Sequence, residues 1–424
     1  MTDPDRILLL ITSASYRAGA FLEAAGRLGV AVTVGSDHRN ALGDEAPDST
    51  IALDFEDVEA SRAVVERLHG RRRLAAVVAA EDDGVVLAAT LAAALGLRGN
   101  TVEAVTCCRH KDRFRAALSS LDVPSPRFLV ADAGEDPEAL ATRIEFPCVI
   151  KPVSMSASRG VIRADDPEEF VRAFRESARV ARGSAERGGG TGTPPRPGPG
   201  HDAGAWLLVE SYIPGDEVAL EGLLIDGALR TLAILDKPDP LTGPYFEETM
   251  FVAPSRHPDL LQREIVDTVS RVANHIGLRE GPVHAELRLD ETGVWPIEIA
   301  PRTIGGQCAR LFEVRTGTAL EELVLLHALG RRVPDPVARR ASGALMIPIP
   351  RSGVFRGLDG VHEARAVAGI EDVTLTVHPG QRIETLPRGN RYLGFVFARG
   401  PGPEDVEAAL RAAHRRLRVR IEDG

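Results

Sequence analysis

Two acidic residues, Glu286 and Glu298, lie on the two arms of a stretch that reads as a β-hairpin. Val283, Ala285, Leu287 and Leu289 alternate with His284, Glu286 and Arg288, the period-two pattern of a strand with one buried face. Asp290, Glu291, Thr292 and Gly293 are turn residues, and Gly293 suits the positive φ of a three-residue bulged loop. With Asp290 closing the hairpin opposite Val294, Glu286 faces Glu298 at a separation of about 5 Å. Like charges so placed repel unless a cation lies between them. A hard divalent ion with oxygen ligands, Mg²⁺ foremost and Mn²⁺ as a substitute, fits the gap and would also hold a polyphosphate. Solvated carboxylates on an exposed sheet face are the plain alternative. Just downstream, Arg302 and Gly305-Gly306 set an anion-binding side chain and a permissive backbone beside the two acids.

Lysine usage marks further positions. Of 51 Lys plus Arg residues only Lys111, Lys151 and Lys237 are lysine, so a compact ammonium on a flexible stem has been kept at three places in a chain that otherwise writes arginine. Lys151 closes an apolar strand pattern at residues 146–152. The small and hydroxyl residues that follow, among them Ser154, Ser156, Ser158 and Gly160, form a loop able to fold over phosphates with backbone N–H groups. Val209 to Ile213, in the strand pattern that follows, could offer an adenine an apolar slot with a backbone edge, and Glu217 could accept from ribose hydroxyls; an edge strand with ordinary exposed acids is the plain alternative.

The remaining elements must position these groups. Ile7 to Ile11, Val30 to Val34 and Ala75 to Ala80 read as buried strands alternating with helices, hence a parallel α/β unit. No Gly-x-Gly-x-x-Gly follows the first strand, so a dinucleotide site is not expected there, but Glu81 at a strand end could reach a ligand cleft. Residues 101–120 read as one helix. Residues 183–204, almost devoid of apolar side chains, are expected to form a floppy insertion. Val218 to Leu224 and Leu229 to Leu235 read as a hairpin around Asp226-Gly227, and Pro258 to Ile276 as an amphipathic helix leading to the acidic hairpin. Residues 343–424 look like a small α+β lid or scaffold in which nothing catalytic declares itself.

A chain of 424 residues suggests several domains and a cleft between them. No apolar run approaches the roughly 20 residues that span a bilayer, and the acidic start is unlike a secretory signal. Four cysteines in neither a disulfide nor a zinc pattern point to cytosolic thiols, hence a cytoplasmic protein. A net charge of −10 disfavours a nucleic-acid partner.

Together these motifs resemble the ATP-grasp superfamily, and within it the L-amino acid ligases and biotin-carboxylase-like relatives. The resemblance implies an N-terminal parallel α/β domain over residues 1–110, a two-lobed α+β nucleotide clasp over 111–340 and a small C-terminal α+β domain over 341–424. It implies ATP held by Lys111 and Lys151, the loop from Ser154 to Gly160 over its phosphates, Glu210, Ser211 and Ile213 at adenine, and Glu217 at ribose. It further implies Glu286 and Glu298 as Mg²⁺ ligands, Arg302 on the substrate carboxylate or acyl phosphate, and Glu248 at the substrate. The sequence departs from the pattern at Ala300, where asparagine is the usual further metal ligand. The implied activity is ATP-dependent joining of a small-molecule carboxylate to an amine through an acyl phosphate, with no nucleic acid or membrane partner and a homodimer as the expected assembly. A bicarbonate-activating carboxylase and a non-catalytic ATP-binding regulator are the alternatives.

Overall fold

The computed structural model describes residues 4–13, 15, 17–38, 49–185 and 205–423. Near the N-terminus, β1 (Arg6–Leu10), β2 (Ala31–Ser36), β3 (Thr50–Ala52) and β4 (Ala76–Ala79) form a parallel sheet in the order β3-β2-β1-β4. The continuous apolar run of β1 is what such a sheet needs, because both faces are covered. Ile7 and Leu9 pack into one core, Leu8 and Leu10 into another. Helices α1 (Ala18–Leu28), α2 (Val58–Arg71) and α3 (Val85–Ala94) supply the covers, and α1 ends on Gly29 at φ 66°, the left-handed cap that glycine favours.

The single helix expected over residues 101–120 is two, α4 (Val102–Arg109) and α5 (Lys111–Leu118), broken at an extended His110. A tertiary contact overrides the periodicity: the Lys111 N–H donates to the Val153 carbonyl at 3.0 Å, pulling the chain out of helical geometry.

A second, antiparallel sheet orders β5 (Phe128–Asp132), β6 (Cys148–Pro152), β7 (Ile162–Ala164) and β8 (Trp206–Ser211) as β5-β8-β6-β7. Helices α6 (Pro137–Ala141) and α7 (Pro167–Ala185) cover one face, where Phe170 and Phe174 meet Ile150, Leu207 and Val209. Of the insertion expected over residues 183–204, residues 183–185 belong to α7, and residues 186–204 lie outside the described residues.

The largest sheet has eight strands, and it crosses the boundary expected near residue 340. β9 (Asp216–Ile225), β10 (Ala228–Lys237), β11 (Met250–Ala253), β12 (Gly281–Asp290) and β13 (Gly293–Ala300) are joined by β14 (Ala341–Ile347), β16 (Ile370–Leu375) and β18 (Gly394–Gly400), in the order β13-β12-β9-β10-β11-β14-β18-β16. A three-stranded ribbon of β15 (Gly353–Asp359), β17 (Arg382–Ile383) and β19 (Arg418–Glu422) flanks it. Helix α8 (Asp259–His275) packs on Val283, Ala285, Leu287 and Leu289, while α9 (Arg310–Thr316), α10 (Leu320–Ala328), α11 (Val361–Arg365) and α12 (Pro403–His414) cover the rest. Between β9 and β10, Asp226 and Gly227 both take positive φ, 52° and 86°, the two-residue turn whose twist matches a hairpin.

The acidic hairpin closes differently from expectation. Asp290 pairs with Gly293 around a two-residue loop, because Asp290 Oδ1 accepts from the Thr292 and Gly293 N–H groups at 2.8 and 3.2 Å. A bulge between Leu287 and Glu286 then shifts the register by one residue and restores Glu286 opposite Glu298. None of the helices described is long and apolar enough to cross a membrane, and all four cysteines are free thiols.

Candidate active site

A cavity of about 310 Å³ opens where the two antiparallel sheets, the end of β4 and the C-terminal strands meet. The polar face of β12, His284, Glu286 and Arg288, forms its floor with Ile297 and Glu298 of β13. Lys111, Lys151, Ser156, Ser158, Glu210, Ser211, Ile213, Glu217, Glu248 and Arg302 all line it, so sequence-distant positions converge here; Ser154 and Gly160 do not line it.

Lys151 ends β6 with its ammonium on the Glu210 carboxylate, and Glu210 also takes the Arg115 guanidinium at 2.8 Å. All three side chains are almost wholly buried. Burial alone would raise the Glu210 pKa, but Arg115 and Lys151 hold it down to about 2. Lys151 is pushed down by burial despite Glu210. Both Glu210 oxygens are therefore engaged, and just beyond it the Ser211 and Tyr212 N–H groups donate to the Arg127 and Pro147 carbonyls at 2.9 and 3.0 Å. Arg115 also donates to the Ile297 carbonyl at 2.9 Å, tying the small sheet to β13.

Lys111 donates to the Met155 carbonyl at 2.5 Å and stands 3.6 Å from Glu298. The loop over it is tight: Ala157 and Ser158 sit at φ 58° and 53°, and Gly160 at φ 69°, where an added Cβ would lie 2.8 Å from Pro152. The Gly160 N–H reaches across to the Pro387 carbonyl at 2.9 Å. The C-terminal region thus meets the loop, and with Met346, Asn390, Tyr392 and Phe395 it lines the cavity. The region read from sequence as a lid or scaffold, with nothing catalytic declared in it, thus forms part of the cavity wall. Met346 and Phe395 come from β14 and β18, which extend the central sheet, and Asn390 and Tyr392 from the segment before β18.

Lys237, which sequence reasoning left without a role, occupies the centre of the acidic floor. Its ammonium donates to Glu217 at 2.6 Å and Glu248 at 2.5 Å and lies 3.5 Å from Glu286. Burial opposes its charge, but the three carboxylates raise its pKa well above the usual range. Glu217 is also paired with Arg288 at 3.0 Å, and the Arg288 guanidinium stacks beside Tyr212 and Phe246 while donating to the Ile213 carbonyl at 2.8 Å. His284 bonds the fully buried Glu221 through Nδ1 and lies 3.3 Å from Glu286 through Nε2. Desolvation would keep the imidazole neutral, yet Glu221 and Glu286 raise it to about 9.

The donor chemistry fits a hard divalent ion. Oxygens of Glu217, Glu248 and Glu286 come within 4.8 Å of one another, but the cation among them is the chain's own Lys237. Glu286 and Glu298, in register on adjacent strands and each about a quarter exposed, present oxygen without nitrogen or sulfur to the cavity. Ala300, buried opposite His284, offers no ligand.

The N-terminal unit closes the other side. Arg302 pairs with Asp82 at 2.8 Å, and Arg109 stands 3.8 Å from the same carboxylate. Burial would raise Asp82, but Arg302 and Arg109 lower it to about 2. Glu81 accepts from Thr12 at 3.1 Å and Ser15 at 2.5 Å, so the residue picked out at a parallel strand's end does face the cavity. Asp82, Arg115, Glu221 and His284 went unassigned in the sequence. The acid run after β4 was a readable signal for the first; a lone arginine in an arginine-rich helix gave none for the second.

Sequence profiles described as ATP-grasp N-terminal domain, ATP-grasp domain and L-amino acid ligase C-terminal domain 2 match residues 22–99, 144–310 and 345–422. The alanine–anticapsin ligase of Bacillus amyloliquefaciens is 28% identical over 309 residues, 70% of this chain and 63% of that protein's length. The formate-dependent phosphoribosylglycinamide formyltransferase of Burkholderia pseudomallei strain 668 is 26% identical over 432 residues, 97% of this chain and 95% of that one. The crystal structure of L-amino acid ligase from Bacillus licheniformis superposes with a TM-score of 0.82 at 25% identity, covering 100% of both chains. N5-carboxyaminoimidazole ribonucleotide synthetase from Thermotoga maritima shares the fold, with a TM-score of 0.69 at 15% identity over 99% of this chain and 100% of that one. Matched along its length by profiles of one architecture that its own fold reproduces, the chain belongs to the ATP-grasp superfamily and is a ligase of that class.

Proposed function

We infer that this ATP-grasp carboxylate–amine ligase joins amino-acid-like substrates, using ATP as co-substrate and passing through an acyl phosphate. The observation that carries the reading is the convergence of Lys111, Lys151, Arg302 and the in-register pair Glu286 and Glu298 on one cavity. In this reading Lys111 and Lys151 neutralise the triphosphate, and Lys151 exchanges Glu210 for phosphate oxygen as nucleotide enters. The backbone of residues 211–213 reads the adenine edge, with Arg288 bracing it, and Glu217 lies at the ribose. Glu286 and Glu298 hold Mg²⁺ or Mn²⁺, which when bound would screen phosphate charge and polarise the transferred group. Arg302 orients the carboxylate for attack on the terminal phosphate, with Asp82 fixing the guanidinium until substrate arrives. Glu248 faces the substrate's amino group. Residues 154–160 shield the acyl phosphate from water until an amine displaces phosphate.

A phosphate-release screen of amino-acid pairs with ATP and Mg²⁺ tests the reading. Release that needs an amino acid is expected. Release that needs bicarbonate alone would replace it with a carboxylase, and tight ATP binding without release would favour a regulator, for which the ligand-less Ala300 is the supporting feature.

A further inference from the structure

Lys237 is buried and does not itself line the cavity, whereas the three carboxylates that hold it do, and the reaction above leaves it without a part. We propose that Lys237 is a positioning residue standing where a second divalent cation would otherwise bind, and that it confines the metal to Glu286 and Glu298, a placement that rests on the metal role read above for that pair. Strand register fixes its position. Lys237 at the end of β10 is directly opposed to Glu217 of β9, and Glu217 to Arg288 of β12, so positive, negative and positive side chains cross three neighbouring strands in one row. Glu286 lies two residues from Arg288, on the same face of β12, and Glu248 arrives from the segment before β11.

Carboxylate oxygens of Glu217, Glu248 and Glu286 converge within 4.8 Å of one another, an all-oxygen set of the kind a hard divalent ion takes. The chain's own ammonium occupies that convergence, 2.6 Å from Glu217, 2.5 Å from Glu248 and 3.5 Å from Glu286. Unlike a bound ion it cannot leave, because its stem is anchored in β10, with the Phe251 ring centre 5.3 Å from the ammonium. Both Glu217 oxygens are engaged, one by Lys237 and the other by Arg288 at 3.0 Å. A second divalent ion beside Glu248 would meet a fixed positive charge at close range and be repelled. Lys237 also has a counterpart in Lys111, which stands 3.6 Å from Glu298 as Lys237 stands 3.5 Å from Glu286, so each acid of the metal pair has one lysine beside it. With Ala300 offering no oxygen, the acids left for a divalent ion are Glu286 and Glu298.

The test counts Mn²⁺ bound to the full-length protein with ADP present, by electron paramagnetic resonance of the free ion against a protein-free ADP control. Lys237→Met keeps the length of the stem without its charge. It is expected to bind one more Mn²⁺ per chain than wild type, at least about ten-fold tighter than any further Mn²⁺ that wild type takes up, the scale on which residues behind metal ligands change affinity. Adding Glu248→Gln to Lys237→Met is expected to remove that ion, which a loss of packing alone would not do. Glu248→Gln in the wild-type background is expected to leave the Mn²⁺ count unchanged. A folded Lys237→Met protein with the wild-type count overturns the proposal. So does a wild-type ion lost in Glu248→Gln, since Glu248 would then be a metal ligand beside an intact lysine. Should Lys237→Met not fold, the Glu248→Gln count decides alone. Wild type that binds no Mn²⁺ with ADP would overturn the metal role of Glu286 and Glu298, whereas one ion gained by Lys237→Met would still uphold the resident lysine.

Discussion

At the scale of residues, the buried set of Lys151, Glu210 and Arg115 does the most to shape the site. Two cations share one carboxylate away from water, so removing the acid strands both. Glu210→Gln is expected to destabilise the protein by about 3–5 kcal/mol, the usual cost of breaking a buried pair, read by denaturant unfolding at neutral pH. The pH dependence has a definite sign. Because the Glu210 pKa is depressed to about 2, its contribution is complete above the ordinary glutamate range and is lost as pH falls towards that value. The gap between wild type and Glu210→Gln should therefore narrow under acid, and a gap that widens would contradict the assignment. The sequence marked Lys151 by the scarcity of lysine and Glu210 by its strand, but their mutual ion pair joins β6 to β8 and follows from tertiary register, which no local pattern encodes. Lys237 was visible for the same reason as Lys151, and its three carboxylate partners were not, since they come from β9, β12 and the segment before β11.

At the scale of elements, the loop after β6 is held from two sides. Lys111 grips it at the Met155 carbonyl, and the C-terminal region holds its far end through Gly160 to Pro387, with Arg388 pairing Glu176 of α7 at 2.6 Å nearby. The exposed ion pair contributes little, so the backbone conformation at Gly160 matters more. Gly160→Ala places a Cβ against Pro152 at a positive φ and should cost about 1 kcal/mol or more, concentrated in the loop. The expected result is a several-fold rise in KM for ATP with secondary structure unchanged by circular dichroism; unchanged KM would free the loop from its role over the phosphates. The acidic hairpin shows what period-two reading can and cannot do. Alternation identified the facing pair Glu286 and Glu298, while the loop length depended on Asp290 capping its own turn and the pairing on a compensating bulge. In α4 and α5 the helical pattern was legible on both sides of His110, but the break came from a contact with β6's end, outside any sequence window.

At the scale of the molecule, the cavity belongs to no single unit. Arg302 is anchored on Asp82 from the N-terminal sheet, Arg17 meets Thr303 and Glu321 on the far side, and β14 continues the central sheet from β11. The alternating strands and helices of the N-terminal unit and the two clasping sheets were legible because each carries its own periodicity; the shared sheet was not, because a strand pairing across residue 340 leaves no mark in either partner. A fragment ending at residue 340 would bare the edge of β11 and the apolar row of Phe251. It is expected to aggregate, whereas a soluble monomer that binds ATP would show that the C-terminal strands are dispensable. The most direct test of the whole reading is ADP formation by Glu298→Ala, with folding checked by circular dichroism, against wild type in the presence of ATP, Mg²⁺ and the best amino-acid pair. The account predicts substrate-dependent ADP release in wild type and a loss of at least about a hundred-fold in the variant; near-normal turnover by a folded Glu298→Ala protein would contradict it.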